Sequence, residues 1–265
     1  MSMELIAQSG LDFWLISLIL IAAGFVVGII NTMAGSGTVI TYSIFMALGM
    51  PAPMANGTIR LGVIMQTLAA SIKFFKKDKL DINKALILAI PVIVGSITGA
   101  QIAATIDKSI FEKVIGIILL LLLISIFFDP KKWINGLQHK QKKKVGIIQL
   151  LMFLAIGFYG GFIHIGVGIF LISALVMNAG YDLVRANAIK VFLVFLYSPF
   201  ALLVYILHDQ VLFILGGIAA IGNLFGGMLG AHLAINKGSK FVRYFLVLII
   251  VLFSTKLLGL WDWLL

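Results

Sequence analysis

The sequence predicts an all-α polytopic membrane protein of two inverted-topology repeats, each a broken or re-entrant helical hairpin plus three transmembrane helices. Three observations predict it. The 265 residues are 62% hydrophobic and 11% charged, with a mean hydropathy of +1.14, well outside the soluble globular range. Shifted by 131 positions the chain matches itself, with Gly35, Gly37, Gly49, Ala55, Asn56, Gly95, Gly99 and Ala100 falling on Gly166, Gly168, Gly180, Ala186, Asn187, Gly226, Gly230 and Ala231. Lysines concentrate in loops whose placement puts equivalent loops on opposite faces of a membrane.

The first apolar run, Phe13 to Ile30, follows Glu4 and Asp12 instead of a basic segment, and reads as a retained span, not a removed signal peptide. Gly24 and Gly28 within it recur as Gly157 and Gly161 at an offset of 133, which places a two-residue insertion near Asn31 and Thr32. Gly35-Ser36-Gly37 then interrupts the apolar pattern, as Gly166-Val167-Gly168 does in the second half. About 13 residues remain before Gly49 or Gly180, about 20 Å of helix against a hydrocarbon core of ~30 Å. A re-entrant hairpin and two tilted crossings both fit that length. Three spans follow in each half, at 57–75, 83–106 and 109–128, then 187–207, 211–234 and 241–263.

Five lysines in residues 73–84 and six in 129–144 mark cytoplasmic loops. The turn at His208, Asp209 and Gln210 is the counterpart of the first of these and carries no lysine or arginine, so the repeats are expected to be inverted. An odd number of net crossings per half then places both termini on the extracytoplasmic face. The expected units are residues 11–128, a basic cytoplasmic linker at 129–144, and a second repeat at 145–265.

The net charge of +10 reflects those loops and does not indicate nucleic acid. There is no cysteine, and the four histidines at 139, 164, 208 and 232 form no metal motif. No nucleophile and base pair or phosphate loop stands out, so an enzyme, a cofactor and a bound metal are not expected. All ten acidic residues fall at termini, turns or span ends. Proton and sodium pathways commonly use an intramembrane carboxylate, so the pattern favours an anion as the small-molecule partner.

Non-helical backbone at membrane depth must be buried in protein or line a cavity, so both glycine breaks are expected to point inward. Glycine permits positive φ and leaves N–H groups at helix starts free to face an anion. Downstream, Asn56 with Arg60 and Asn187 with Lys190 share a helical face. The asparagines are suited either to capping the helix that follows or to contacting a ligand, and the cations either to a cavity or to anchoring at the interface. The GxxxG glycines read as packing positions. Gln101 and His232, themselves 131 apart, suggest interhelical hydrogen bonds.

The segments GFVVGIINTMAGSGTVIT, ALGMPAPMANGTIR and GFYGGFIHIGVGIF resemble the TauE/SafE sulfite exporter family, also called TSUP, over about Gly24 to Gly259. The second repeat departs from the first, with Asp182 where the first has Pro51 and Ile189 where it has Thr58. The resemblance implies a multi-pass transporter of the bacterial or archaeal cytoplasmic membrane. Its substrates would be small sulfur-containing anions such as sulfite, sulfoacetate or a related organosulfonate, and thiosulfate; with the inverted repeats, the expected mechanism is alternating access. Carried over by position, the substrate-binding residues are Asn31, Gly35, Ser36, Gly37, Asn56, Thr58, Arg60, Gly166, Gly168, Asn187 and Lys190, with His164 a candidate for proton coupling. The residues alone leave open an anion channel on the same scaffold and a non-transporting membrane assembly subunit.

Overall fold

The computed structural model describes residues 12–107, 110–111 and 145–257. The expected third span of the first half, at 109–128, and the basic linker at 129–144 lie essentially outside the described residues, as do the two chain ends. Helices α1 (Phe13–Met33), α2 (Thr38–Ala47), α3 (Ala52–Phe75) and α4 (Ile82–Thr105) form the first half. Helices α5 (Ile147–Phe162), α6 (Val167–Ser173), a π-helical turn (Ala174–Asn178), α7 (Leu183–Leu207) and α8 (Phe213–Leu257) form the second. Helix α8 is interrupted at Gly238, with φ 71° and ψ −173°, close to the boundary expected between the last two spans. Among the described residues, α1, α3, α4, α7 and Phe213–Val242 are long and apolar enough to cross a membrane, and the shorter apolar helices are the segments flanking the two breaks.

The offset of 131 recurs in the backbone. Gly35 and Gly166 have φ of 83° and 76°, and Gly49 and Gly180 have 83° and 78°. Asp78 and Asp209, also 131 apart, have φ of 49° and 55° in the turns after α3 and α7. The left-handed region is open to glycine and tolerated by Asp, whose short polar side chain bonds locally. The two-residue insertion also has a form: α1 continues five residues past Gly28, to Met33, whereas α5 stops one residue past Gly161, at Phe162.

Local chemistry sets several of these boundaries. Asp81 accepts from the Lys84 N–H at the start of α4, and Asp182 accepts from the Val184 and Arg185 N–H groups at 3.0 and 3.1 Å at the start of α7. Proline lies in the first turn of α3, where a missing N–H costs nothing. These starts correct one expectation. Asn56 and Asn187 do not cap the helices that follow, because α3 begins at Ala52 and α7 at Leu183, which leaves both asparagines a full turn inside.

Packing pairs the halves with each other. Helix α1 lies along α8, where Gly24 and Gly28 face the backbone at Ala219, Asn223 and Gly226, and Gly222 faces the backbone at Ile21. The equivalent pair is α5 along α4, where Gly157 and Gly161 face the backbone at Val92 and Ser96, and Gly95 and Gly99 that of Leu154 and Phe158. A Cβ at any of these would collide with main chain, so the small residues set the interhelical distance. Large apolar side chains such as Trp14, Leu18, Ile90, Leu151 and Phe225 face outward, as expected against lipid. Helices α3 and α7 fill the middle and carry most of the buried polar residues. The +131 pair Gln101 and His232 behaves unequally: Gln101 lies 3.5 Å from His208, whereas His232 bonds Asn236 one turn along its own helix.

Candidate functional site: two capped helix breaks

A helix that stops inside a membrane leaves its last carbonyls without partners and a partial negative charge at its end. Helices α1 and α5 both stop this way, and each is met by a cation from the other half. At the end of α5, the Arg60 guanidinium donates to the Gly160 carbonyl at 3.2 Å from both terminal nitrogens and to Gly161 O at 2.5 Å. Asn56 Nδ2 donates to Phe162 O at 2.8 Å and to the Tyr205 hydroxyl at 2.7 Å. That hydroxyl lies 3.2 Å from both the Gly161 and Phe162 carbonyls, and the Tyr205 ring sits 4.8 Å under the guanidinium. Three side chains thus serve the three last carbonyls of α5.

At the end of α1, Lys190 Nζ donates to Asn31 O at 2.7 Å and to Thr32 O at 2.9 Å. Asn31 Oδ1 in turn accepts from the Thr38 N–H at 3.2 Å, tying the end of α1 to the start of α2. The support is thinner here than at α5. Asn187, the counterpart of Asn56, is fully buried with neither amide atom bonded, and Phe74 stands where the other half has Tyr205. Arg60 and Lys190 are themselves buried at 0% and 2% exposure.

The two breaks touch. A side chain at Gly35 would strike the Gly168 backbone, and one at Gly168 would strike Gly35, so the hairpins cross where neither carries a Cβ. Beside this crossing lies a cavity lined by Asn31, Gly35, Gln66, His164, Gly168 and Lys190, among others, with about 10 Å³ open to the centre of a water-sized sphere. That is the room of about one water molecule. A sulfite or sulfonate group is larger, so this conformation is closed around its centre.

The expected site residues divide accordingly. Asn31, Gly35, His164, Gly168 and Lys190 gather at the cavity, and His164 Nδ1 lies 3.0 Å from the Tyr197 hydroxyl. Asn56 and Arg60 gather instead at the end of α5. Thr58 accepts from the Leu212 N–H at 3.0 Å and fastens the turn before α8. Ser36, Gly37 and Gly166 form the breaks themselves, Ser36 with its buried hydroxyl unbonded. Sequence reasoning missed Tyr205, Tyr197 and the site position of Gln66. Gln66 carried a signal as a polar residue inside a span, whereas the tyrosines, in an aromatic-rich helix, carried none. Asp12, Asp78, Asp81, Asp107, Asp182 and Asp209 all lie at helix ends or in connections, so among the described residues no carboxylate enters the centre.

Comparison with known proteins agrees with this architecture. The family model described as Sulfite exporter TauE/SafE matches residues 20–257. A probable membrane transporter protein of Haemophilus influenzae is 29% identical over 92% of this chain and 95% of its own. Probable membrane transporter proteins of Sinorhizobium and Escherichia coli are 25% and 26% identical, over 94% and 87% of this chain and 94% and 85% of theirs. No solved structure matches the chain significantly.

Proposed function

Because the chain belongs to the sulfite exporter TauE/SafE family, we propose that it carries small sulfur-containing anions across the cytoplasmic membrane of a bacterium or archaeon. The candidate cargo is sulfite, sulfoacetate or a related organosulfonate, and thiosulfate. The observation that carries the reading is the central crossing of two helix breaks at Gly35 and Gly168, flanked by buried cations with no carboxylate among the described residues nearby. A buried cation whose partners are only carbonyl dipoles lacks a counter-charge, and a mobile anion is the natural counterion. His164, beside Lys190 and Tyr197, is the group through which proton coupling would run.

The closed centre supports alternating access. An anion enters only if the two hairpins part, and two halves related by inversion can part toward either face in turn. Equivalent backbone turns and exchanged helix pairs support a correspondence between the halves, and the loop charges support its inversion with both termini extracytoplasmic. The test is flux in proteoliposomes: labelled sulfite inside should exchange against unlabelled sulfite outside with saturable kinetics. Single-channel currents would instead identify an open pore, and absence of flux with any of these anions would remove the reading.

A further inference from the structure

Resting on the anion-transport reading, we propose that the two capped breaks have different jobs: the Arg60 centre is a fixed clamp, and the anion binds at the Lys190 centre through Lys190, Asn31 and Gln66. The argument begins with what each centre has left to offer. At the Arg60 centre every carbonyl at the end of α5 already has a side-chain donor, and the guanidinium is stacked on Tyr205. A planar fork held by carbonyls and an aromatic face is locked in orientation. An anion would have to remove it from those carbonyls, leaving them orphaned in a low-dielectric interior. Arg60 Nε and Asn56 Oδ1 are also buried without partners, but neither residue lines the cavity beside the crossing, so no guest reaches them there.

The Lys190 centre differs in that its donors open onto the cavity. Lys190 has three N–H donors and gives two of them to Asn31 O and Thr32 O. Asn31 directs its oxygen to the Thr38 N–H, which leaves Nδ2 buried and unbonded, and Gln66 is 1% exposed with Oε1 unbonded. All three residues line the same small cavity. Of the buried amide atoms without partners, those of Asn31 and Gln66 share one cavity with a cation, which marks a place where a polar guest completes the hydrogen bonding. A half-turn of the Gln66 amide exchanges its carbonyl for N–H donors, so the side chain can turn a donor toward an anion. Two amides and one ammonium converging from α1, α3 and α7 suit the three oxygens of an SO₃ group, the feature shared by sulfite, sulfonates and thiosulfate.

The sparser support of α1 fits this assignment. Phe74 in place of a tyrosine and the unbonded Asn187 leave the first break easier to displace than the second, so the α1 hairpin is the element that moves aside to admit the anion. The test uses the full chain purified in detergent, titrated with sulfite, thiosulfate and sulfoacetate, with acetate as the control lacking SO₃. Gln66→Met removes only an unbonded amide, so the ligand-free melting temperature should hold or rise while the dissociation constant for sulfite weakens at least tenfold. Lys190→Gln should abolish binding, and Arg60→Lys should lower the melting temperature yet keep the dissociation constant within about threefold. Wild-type affinity in Gln66→Met, or lost affinity in Arg60→Lys at an unchanged melting temperature, would overturn the assignment. A wild type that binds none of the three anions would remove the transport reading itself, and the assignment with it.

Discussion

Arg60 and Lys190 occupy nearly equivalent places, yet their reach differs because the helix ends they serve differ. Helix α5 ends one residue past Gly161, and the longer, forked arginine collects two carbonyls there; α1 runs on to Met33, and the shorter lysine suffices. Arg60→Ala should therefore act first on stability, since it orphans the Gly160 carbonyl and leaves Gly161 with the Tyr205 hydroxyl alone. A loss of about 2 kcal/mol is expected, measured by thermal unfolding of the purified protein. Tyr205→Phe keeps the ring beneath the guanidinium but removes one hydroxyl. It should cost about 0.6 to 1.7 kcal/mol, the range for interhelical hydrogen bonds within membranes, and a loss matching that of Arg60→Ala would show the hydroxyl to be more central than its three bonds suggest. Gly35 faces two constraints at once, a φ of 83° and the Gly168 backbone against it. Gly35→Ala is expected to abolish anion exchange and to sharply reduce the yield of folded protein, read by size-exclusion chromatography.

The unit at the next scale is the helix with its caps and its packing seam. Apolar burial does not drive helices together in lipid, so the α1–α8 and α4–α5 contacts depend on close approach at glycine. Asp182 illustrates how little sequence is needed to start a helix: one carboxylate bonds two N–H groups at the head of α7. Asp182→Ala should cost about 1 kcal/mol of stability without changing anion affinity, because it fixes a helix end far along α7 from Lys190. A changed dissociation constant in that variant would mean that the start of α7 is coupled to the centre. The same element scale explains the asparagines. Placed one turn inside its helix, Asn56 reaches across to Phe162 and Tyr205, whereas Asn187 in the equivalent place is buried without a partner.

For the whole molecule, the exchange of packing partners is decisive. Helix α1 of the first half lies on α8 of the second, and α5 of the second lies on α4 of the first, so neither half encloses its own break. A cation from α3 closes α5 and a cation from α7 closes α1, which makes the centre a joint product of both halves. If the halves are inverted in the membrane, the turns after α3 and α7 face opposite sides. The chain has no cysteine, so single replacements are clean probes. Lys77→Cys and Asp209→Cys, both exposed, should react with a membrane-impermeant maleimide from opposite sides of oriented vesicles. Labelling of both from one side would exclude the inverted arrangement.

Composition and spacing by themselves determined the class of fold, the two breaks and the correspondence between halves. The physical reasons are local: apolar runs in lipid must be helical to pair their own backbone, and a left-handed turn selects glycine at Gly35, Gly49, Gly166 and Gly180. Even the two-residue difference between the halves was legible, as the extra turn of α1. Tertiary structure alone decided what each polar residue touches. Arg60 meets a carbonyl 100 residues away and Lys190 one 159 residues away. Helical periodicity tells which face a side chain occupies but not which neighbour that face meets. The contrast between a cap enclosed by packing and one that opens on a cavity therefore emerges only when the two halves are packed together, and with it the distinction between a clamp and a binding centre.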